Sequence, residues 1–294
     1  MAAPNTKTPS SLFAPLPYVL TALLPFGAAT ILADVAGFPV RLEVFILGAA
    51  ALAALVLAAS GSREVFAPGA GRYPSWGPFS PRVVKGLTYG LLILAALLGL
   101  ILQFGCGTGN MTIPLIALGI LGGYFYFAPF LHWYRRGWGE VVGALCLGLL
   151  PVIWGFYLQC GHLITELLLY ALPLAFAAFN LLLIHGFPSL EEGAGPAPRQ
   201  SMAARLGPVA GALVFTLVNI LIIAGLVVDL LFPANPLPFR AGFILMILLA
   251  VVNQELIKQK AYRREARMKL LCRLTLAQHL GMGLVYVISL WQRW

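Results

Sequence analysis

The stretch YFAPFLHWYRRGWGEVVGALCLGLLPVIWGFYLQCG, from Tyr126 to Gly161, closes one apolar run, turns through His132–Glu140 and opens another. Arg135, Arg136 and Glu140 are the charged residues of the turn, and from Val141 to Gly161 there is no Asp, Glu, Lys or Arg. An uncharged run of this kind matches the ~20 residues a helix needs to cross a bilayer. Lipid offers the backbone no hydrogen-bond partners, so a spanning segment must be a helix or part of a closed barrel. The run does not alternate polar with apolar residues, which leaves the helix. Two arginines in a short turn place that turn on the cytoplasmic side.

The rest of the chain repeats this pattern. Of 294 residues, 60% are hydrophobic and 10% charged, against about 25% charged in soluble domains, so a soluble enzyme is excluded. Further apolar windows fall at Leu12–Leu32, Leu42–Ala59, Gly86–Gln103, Thr112–Phe130, Leu163–Ile184, Leu206–Leu231, Ala241–Val252 and Leu270–Leu290. The eighth window of the chain, Ala241–Val252, is short and is expected to run on through Asn253–Glu255. The expected fold is all-α: a polytopic membrane bundle of about nine transmembrane helices forming a single domain over residues 1–294. The segment from Leu12, with Pro15, Pro17 and Pro25, reads as the first span and not as a cleaved leader.

The net charge of +9 is a topology signal, not a nucleic-acid footprint. With nine spans, sixteen of the nineteen Lys and Arg fall on one face, and three (Arg41, Arg240 and Arg293) on the other. This predicts the cytoplasmic membrane, with the N-terminus inside and the C-terminus outside. The basic segment Lys258–Lys269 is expected to meet anionic headgroups of the lipid bilayer. No charged residue falls in mid-span; Asp34, Glu43, Glu166 and Asp229 lie near outer ends, which argues against an ion-coupled transporter. The long polar loops, Ser60–Lys85, His132–Glu140, His185–Arg205 and Gln254–Arg273, are all inside, so a charged substrate would meet a cytoplasmic mouth.

Cys106 and Cys160 both fall in outer loops and either pair or remain free thiols. No cysteine spacing indicates zinc or redox chemistry. The Gly193–Pro198 loop fits neither a Walker loop nor a dinucleotide fingerprint.

The opening stretch resembles the UbiA superfamily of intramembrane aromatic prenyltransferases, particularly the dihydroxynaphthoate branch of menaquinone synthesis. That branch carries Y-x-x-P-P-L-K and R-G-x-G-E ahead of a helix ending Y-x-Q-T-G. Here Tyr126, Pro129, Leu131, Arg136, Gly137, Gly139, Glu140, Tyr157, Gln159 and Gly161 stand without a gap, with His132 at the lysine position. Phe187–Glu192, Arg199 and Arg205–Gly207 are similar to the family's second motif. The resemblance implies a bundle that binds a polyprenyl diphosphate and transfers its prenyl group to a quinone-type aromatic acceptor. In such a bundle two Asp-rich cytoplasmic loops hold Mg²⁺ on the diphosphate.

The departures from the pattern fall on those loops. Ser60, Gly61, Glu64 and Gly71 stand where the first motif has Asn, Asp, Asp and Asp. In the second, His185, Ser189, Gly193 and Pro198 replace Asn, two Asp and Lys. The resemblance leaves Glu64, Glu191 and Glu192 as catalytic and metal-ligating candidates, with His185 able to hydrogen-bond a diphosphate or a ring hydroxyl. Glu140 is expected to act as a helix N-terminal carboxylate.

Two mechanisms follow. The glutamates hold Mg²⁺, or Arg63, Arg72, Arg82, Lys85, Arg135, Arg136 and Arg199 neutralise diphosphate without metal. The same arginines also serve simply as topology signals. Tyr126, His132 and Tyr157 complete the substrate-binding candidates, the tyrosines through their ring faces. The sequence supports three functions in order: a divergent prenyltransferase, a non-catalytic isoprenoid- or quinone-binding or scaffold relative that has lost the metal site, and a small-molecule transporter.

Overall fold

The computed structural model describes residues 16–67, 76, 79–187, 201–231 and 237–291. Its helices are α1 (Leu16–Val35), α2 (Leu42–Phe66), α3 (Pro81–Leu100), α4 (Thr112–Gly123), α5 (Trp133–Arg136), α6 (Gly139–Ala144), α7 (Leu150–Cys160), α8 (Leu167–His185), α9 (Met202–Leu231), α10 (Leu237–Lys258) and α11 (Glu265–Trp291). Eight helical segments among the described residues are long and apolar enough to cross a membrane. A ninth apolar helix, Thr112–Tyr126, is shorter. The protein is an integral membrane bundle, as composition required.

Several boundaries differ from the sequence expectation, each for a local reason. The polar segment from Ser60 begins as helix: α2 runs on to Phe66, because Ser62 Oγ donates back to the Ala59 carbonyl at 2.8 Å and Gly61 lets α2 and α3 close up. α3 starts at Pro81, five residues before its apolar window, with Ser80 capping the Val83 N–H at 3.4 Å. α10 continues through Asn253–Glu255 to Lys258. α9 is interrupted at Gly207, whose φ of 79° and ψ of 169° set off the short Met202–Leu206 turn from the span beyond Pro208.

α1 and α7 form the centre, contributing to both large hydrophobic cores. One core joins Phe26 and Trp154 to Leu52, Leu98 and Ile116 of the first half. The other joins Ala29 and Phe156 to Leu174, Ile222, Phe243 and Tyr286 of the second. The two central helices touch because Gly155 has no side chain: a Cβ there would lie 2.2 Å from the Phe26 carbonyl oxygen. In a bilayer such small residues let backbones approach and gain dispersion energy. The opposite faces carry exposed Ile93 and Leu97 on α3, Leu213 and Leu217 on α9, and Leu245 and Leu248 on α10, at helical spacings that suit hydrocarbon.

Prolines inside the spans leave carbonyls that lipid cannot satisfy. Pro25 removes the N–H that would bond the Thr21 carbonyl, and the Nε2–H of buried His279 donates to that oxygen at 3.0 Å instead. Pro151 would crowd the Leu147 carbonyl. The helix widens there into a π turn, Leu145–Leu149, between α6 and α7.

The two ends of the bundle differ in chemistry. At one end Arg41 Nη2 donates to the Cys106 carbonyl at 2.7 Å, and the Arg41 N–H donates to Gln159 Oε1 at 2.9 Å. Cys106 and Cys160 both belong to this end, and neither forms a disulfide. At the other end, Arg205 Nη2 donates to the Arg135 carbonyl, and Phe187 packs on Tyr262 with ring centroids 6.1 Å apart. This basic end gathers Arg63, Arg135, Arg136, Arg205 and the Lys258–Arg264 turn, as the charge partition predicts.

Replacing His279 with Leu orphans the Thr21 carbonyl and is expected to cost about 1–3 kcal/mol. In a Pro25→Ala background, where an N–H returns to that carbonyl, the same change should cost clearly less. Thermal unfolding of the four proteins in detergent measures the coupling.

Candidate functional site at the basic end

A cavity of about 120 Å³ lies between α1, α2, α4, α8 and the α6–α7 span. Its deep wall is aliphatic, with Leu52, Leu55, Val56 and Leu150. Its sides exist because small residues line them: Gly119, Gly122, Gly123 and Gly143, with Ala59 and Cys146. Polar groups enter only near the basic end, from Tyr18, Ser60, Arg63 and Tyr126. Arg63 is the single charged side chain among the lining residues, and it is 4% exposed.

The π turn that accommodates Pro151 also shapes this space. It brings Cys146 and Leu147 to the cavity, while Gly148 meets α8 so closely that a Cβ would fall 2.3 Å from the Ala175 Cα.

Tyr18, which the sequence did not single out, is oriented from behind. The His185 Nδ1 lies 2.7 Å from the Leu181 carbonyl, an acceptor only, so that nitrogen carries the proton. Nε2 is then the acceptor, and the Tyr18 hydroxyl donates to it at 2.8 Å. His185 thus stands behind Tyr18 in the wall and does not itself line the cavity. The signal for Tyr18 lay in helix alternation, which puts the start of α1 at the same end as the finish of α8.

Other candidates are spread out. Tyr126 lines the cavity, whereas Tyr157 sits at the far end, its hydroxyl accepting from the Met111 N–H at 2.9 Å. That was legible: Tyr157 follows Gly139 by a helical rise of roughly 27 Å. Arg82 and Lys85 are exposed on the first turns of α3. Arg136 is exposed and donates to the Phe130 carbonyl at 3.2 Å. His132, in a left-handed conformation with φ of 45°, begins α5. Partial burial, with Arg135 and Arg136 beside it, lowers its affinity for a proton below the ordinary histidine value. Arg72, Glu191, Glu192 and Arg199 lie outside the described residues.

Glu140 is a strut. It is 1% exposed, and its Oε1 accepts from the Met202 N–H at 2.9 Å, capping the start of α9 from another span. Neighbouring Tyr134 is pushed up to about 12 by burial first and then by the Glu140 carboxylate. Ser201 Oγ donates to the Gly186 carbonyl at 2.7 Å, tying the end of α8 to the same corner.

The residues around Glu64, metal candidates by resemblance, are not arranged to hold a divalent ion. A side chain at Gly61 would meet Thr88 Oγ1 at 2.2 Å, so the place an aspartate would need is filled. Ser60 Oγ accepts from Trp76 Nε1 at 3.0 Å, and Glu64 Oε2 is paired with Arg63 Nη2 at 2.8 Å. Among the described residues no three His, Cys, Asp or Glu side chains cluster. Mg²⁺ requires several well-placed oxygens, and this half of the mouth supplies one carboxylate already engaged.

Fold and cavity together define a helical membrane protein with a greasy chamber and a cationic doorway. The sequence matches the UbiA prenyltransferase family over residues 74–276, and the chain belongs to that family. An apo structure of a UbiA homolog from Aeropyrum pernix K1 superposes with a TM-score of 0.68 at 18% identity, covering 92% of this chain and 97% of that one. A structure described for digeranylgeranylglyceryl phosphate synthase in membranes gives a TM-score of 0.64 at 11% identity, covering 96% and 94%. At these identities both show a shared fold. Among curated proteins none matches.

Glu140→Ala removes an inter-helix cap and is expected to destabilise by about 1–2 kcal/mol. Gly61→Asp forces Thr88 aside and should cost about 1–3 kcal/mol. Melting in detergent reads both, and a neutral Gly61→Asp would refute the steric argument.

Proposed function

We propose that this protein transfers a polyprenyl group from an isoprenoid diphosphate to an aromatic acceptor of the quinone-precursor type, within the cytoplasmic membrane. The basic end would face the cytosol, with the N-terminus inside and the C-terminus outside, following the distribution of Lys and Arg. Family membership supports prenyl transfer, and the observation that carries the reading is the cavity: aliphatic in depth, with one guanidinium at its mouth. An amphipathic substrate with an apolar tail and an anionic head matches that polarity.

The chemistry asks for three things. The allylic C–O bond breaks with its electron pair leaving on diphosphate. The π electrons of the acceptor ring form the new C–C bond, and the ring carbon then releases its proton to water. Charge developing on the leaving group is stabilised by fixed donors in a water-poor site, a role open to Arg63. The Tyr126 ring, buried in the wall, supplies an aromatic face to the allylic cation. The Tyr18 hydroxyl, its proton given to His185, acts only as an acceptor toward the cavity and can orient a ring hydroxyl.

A second reading is favoured by the packing at Gly61: a relative that binds isoprenoid lipids without transferring them. Purified protein assayed with prenyl diphosphates of several lengths and aromatic acceptors decides between them. Transfer is expected, with Tyr18→Phe lowering kcat/KM by about 10-fold, the loss of one hydrogen bond to substrate. Lipid binding without product supports the second reading, and solute flux into sealed vesicles would overturn both.

A further inference from the structure

Arg63 and Glu64 form a buried-to-interfacial ion pair at the end of α2, 2.8 Å apart, with side chains 5% and 29% exposed. Both partners stand on the last turn of α2. Arg63 lines the cavity and Glu64 does not. Glu64 is also the one carboxylate the first-motif segment retains among the described residues. A guanidinium carries five N–H donors in a planar fork suited to carboxylate or phosphate oxygens alike. The pair therefore already contains one anion on the group best placed to receive another.

Resting on the proposed reading that an isoprenoid diphosphate enters this cavity, we infer that Arg63 receives the diphosphate directly and that Glu64 is its internal competitor, not a metal ligand. Two anions close to one guanidinium repel strongly in a low-dielectric setting. Entry of the head must displace the Glu64 carboxylate, which at 29% exposure can swing toward water. The neighbouring positions agree: Thr88 fills the space at Gly61, and Trp76 holds Ser60. No bond is made or broken in this exchange; one ion pair replaces another.

The two assignments for Glu64 predict opposite signs. A metal ligand changed to Gln weakens head binding, whereas a competitor changed to Gln strengthens it. The test is binding of inorganic diphosphate and of geranyl diphosphate to the full-length protein in detergent, in EDTA and again with Mg²⁺. Expected are binding in EDTA, a several-fold gain for Glu64→Gln, and a loss of about 10-fold or more for Arg63→Gln, the scale of a charge-assisted hydrogen bond. Arg63→Lys, which keeps the charge without the fork, should fall between. Because Glu64→Gln is read as a gain, a folding defect in the Arg63 variants cannot imitate the result.

Binding that requires Mg²⁺ and is lost in Glu64→Gln overturns the inference, as does absence of binding under both conditions. Prenyl transfer that depends on Mg²⁺ would sink this inference while leaving the proposed function standing. Metal-free head binding without transfer to any acceptor would do the reverse.

Discussion

Lipid gives a polypeptide nothing to bond with, and this bundle is arranged around that fact. Two of the prolines inside the spans, Pro25 and Pro151, are answered by the structure around them. His279 reaches from α11 to α1 for the Thr21 oxygen, and a π turn widens the helix ahead of Pro151. The second of these repairs also helps to form the site, because the widened turn brings Cys146 and Leu147 to the cavity wall. Backbone satisfaction and the chamber thus share one cause.

A further layer is built from absence of side chains. Gly155 brings α7 onto α1, Gly148 brings the π turn onto α8, and Gly119, Gly122 and Gly143, in the cavity lining, seat Leu55, Cys146 and Leu182. All of them are also close contacts: a Cβ at Gly122 would fall 2.2 Å from Cys146 Sγ, and one at Gly143 2.3 Å from Leu182 Cδ1. The polar mouth is then assembled from three separate chain segments: Tyr18 on α1, Ser60 and Arg63 on α2, and Tyr126 beyond α4.

Much of this was legible in order of wavelength. The long-range signal of the apolar windows gave about nine spans, against eight helices of spanning length and a shorter ninth among the described residues. The short-range signals misled where tertiary packing overrode them. Ser60-Gly61-Ser62 looks like a helix breaker, yet Thr88 on α3 docks against Gly61 and the helix persists to Phe66. Tyr157 looked like a pocket residue by resemblance alone, although the rise of the helix carries it to the wrong end. Tyr18 went unremarked because nothing local in the sequence ties it to His185, 167 residues away.

The interlock between Gly61 and Thr88 constrains which residues either position can hold. An aspartate at position 61 would have to push aside the threonine, itself anchored by donating to the Val84 carbonyl at 2.8 Å. A smaller residue at position 88 would relieve that crowding, so the two positions are coupled. Such a contact makes α2 and α3 a matched pair: the side chain that either position tolerates is set by the one across from it.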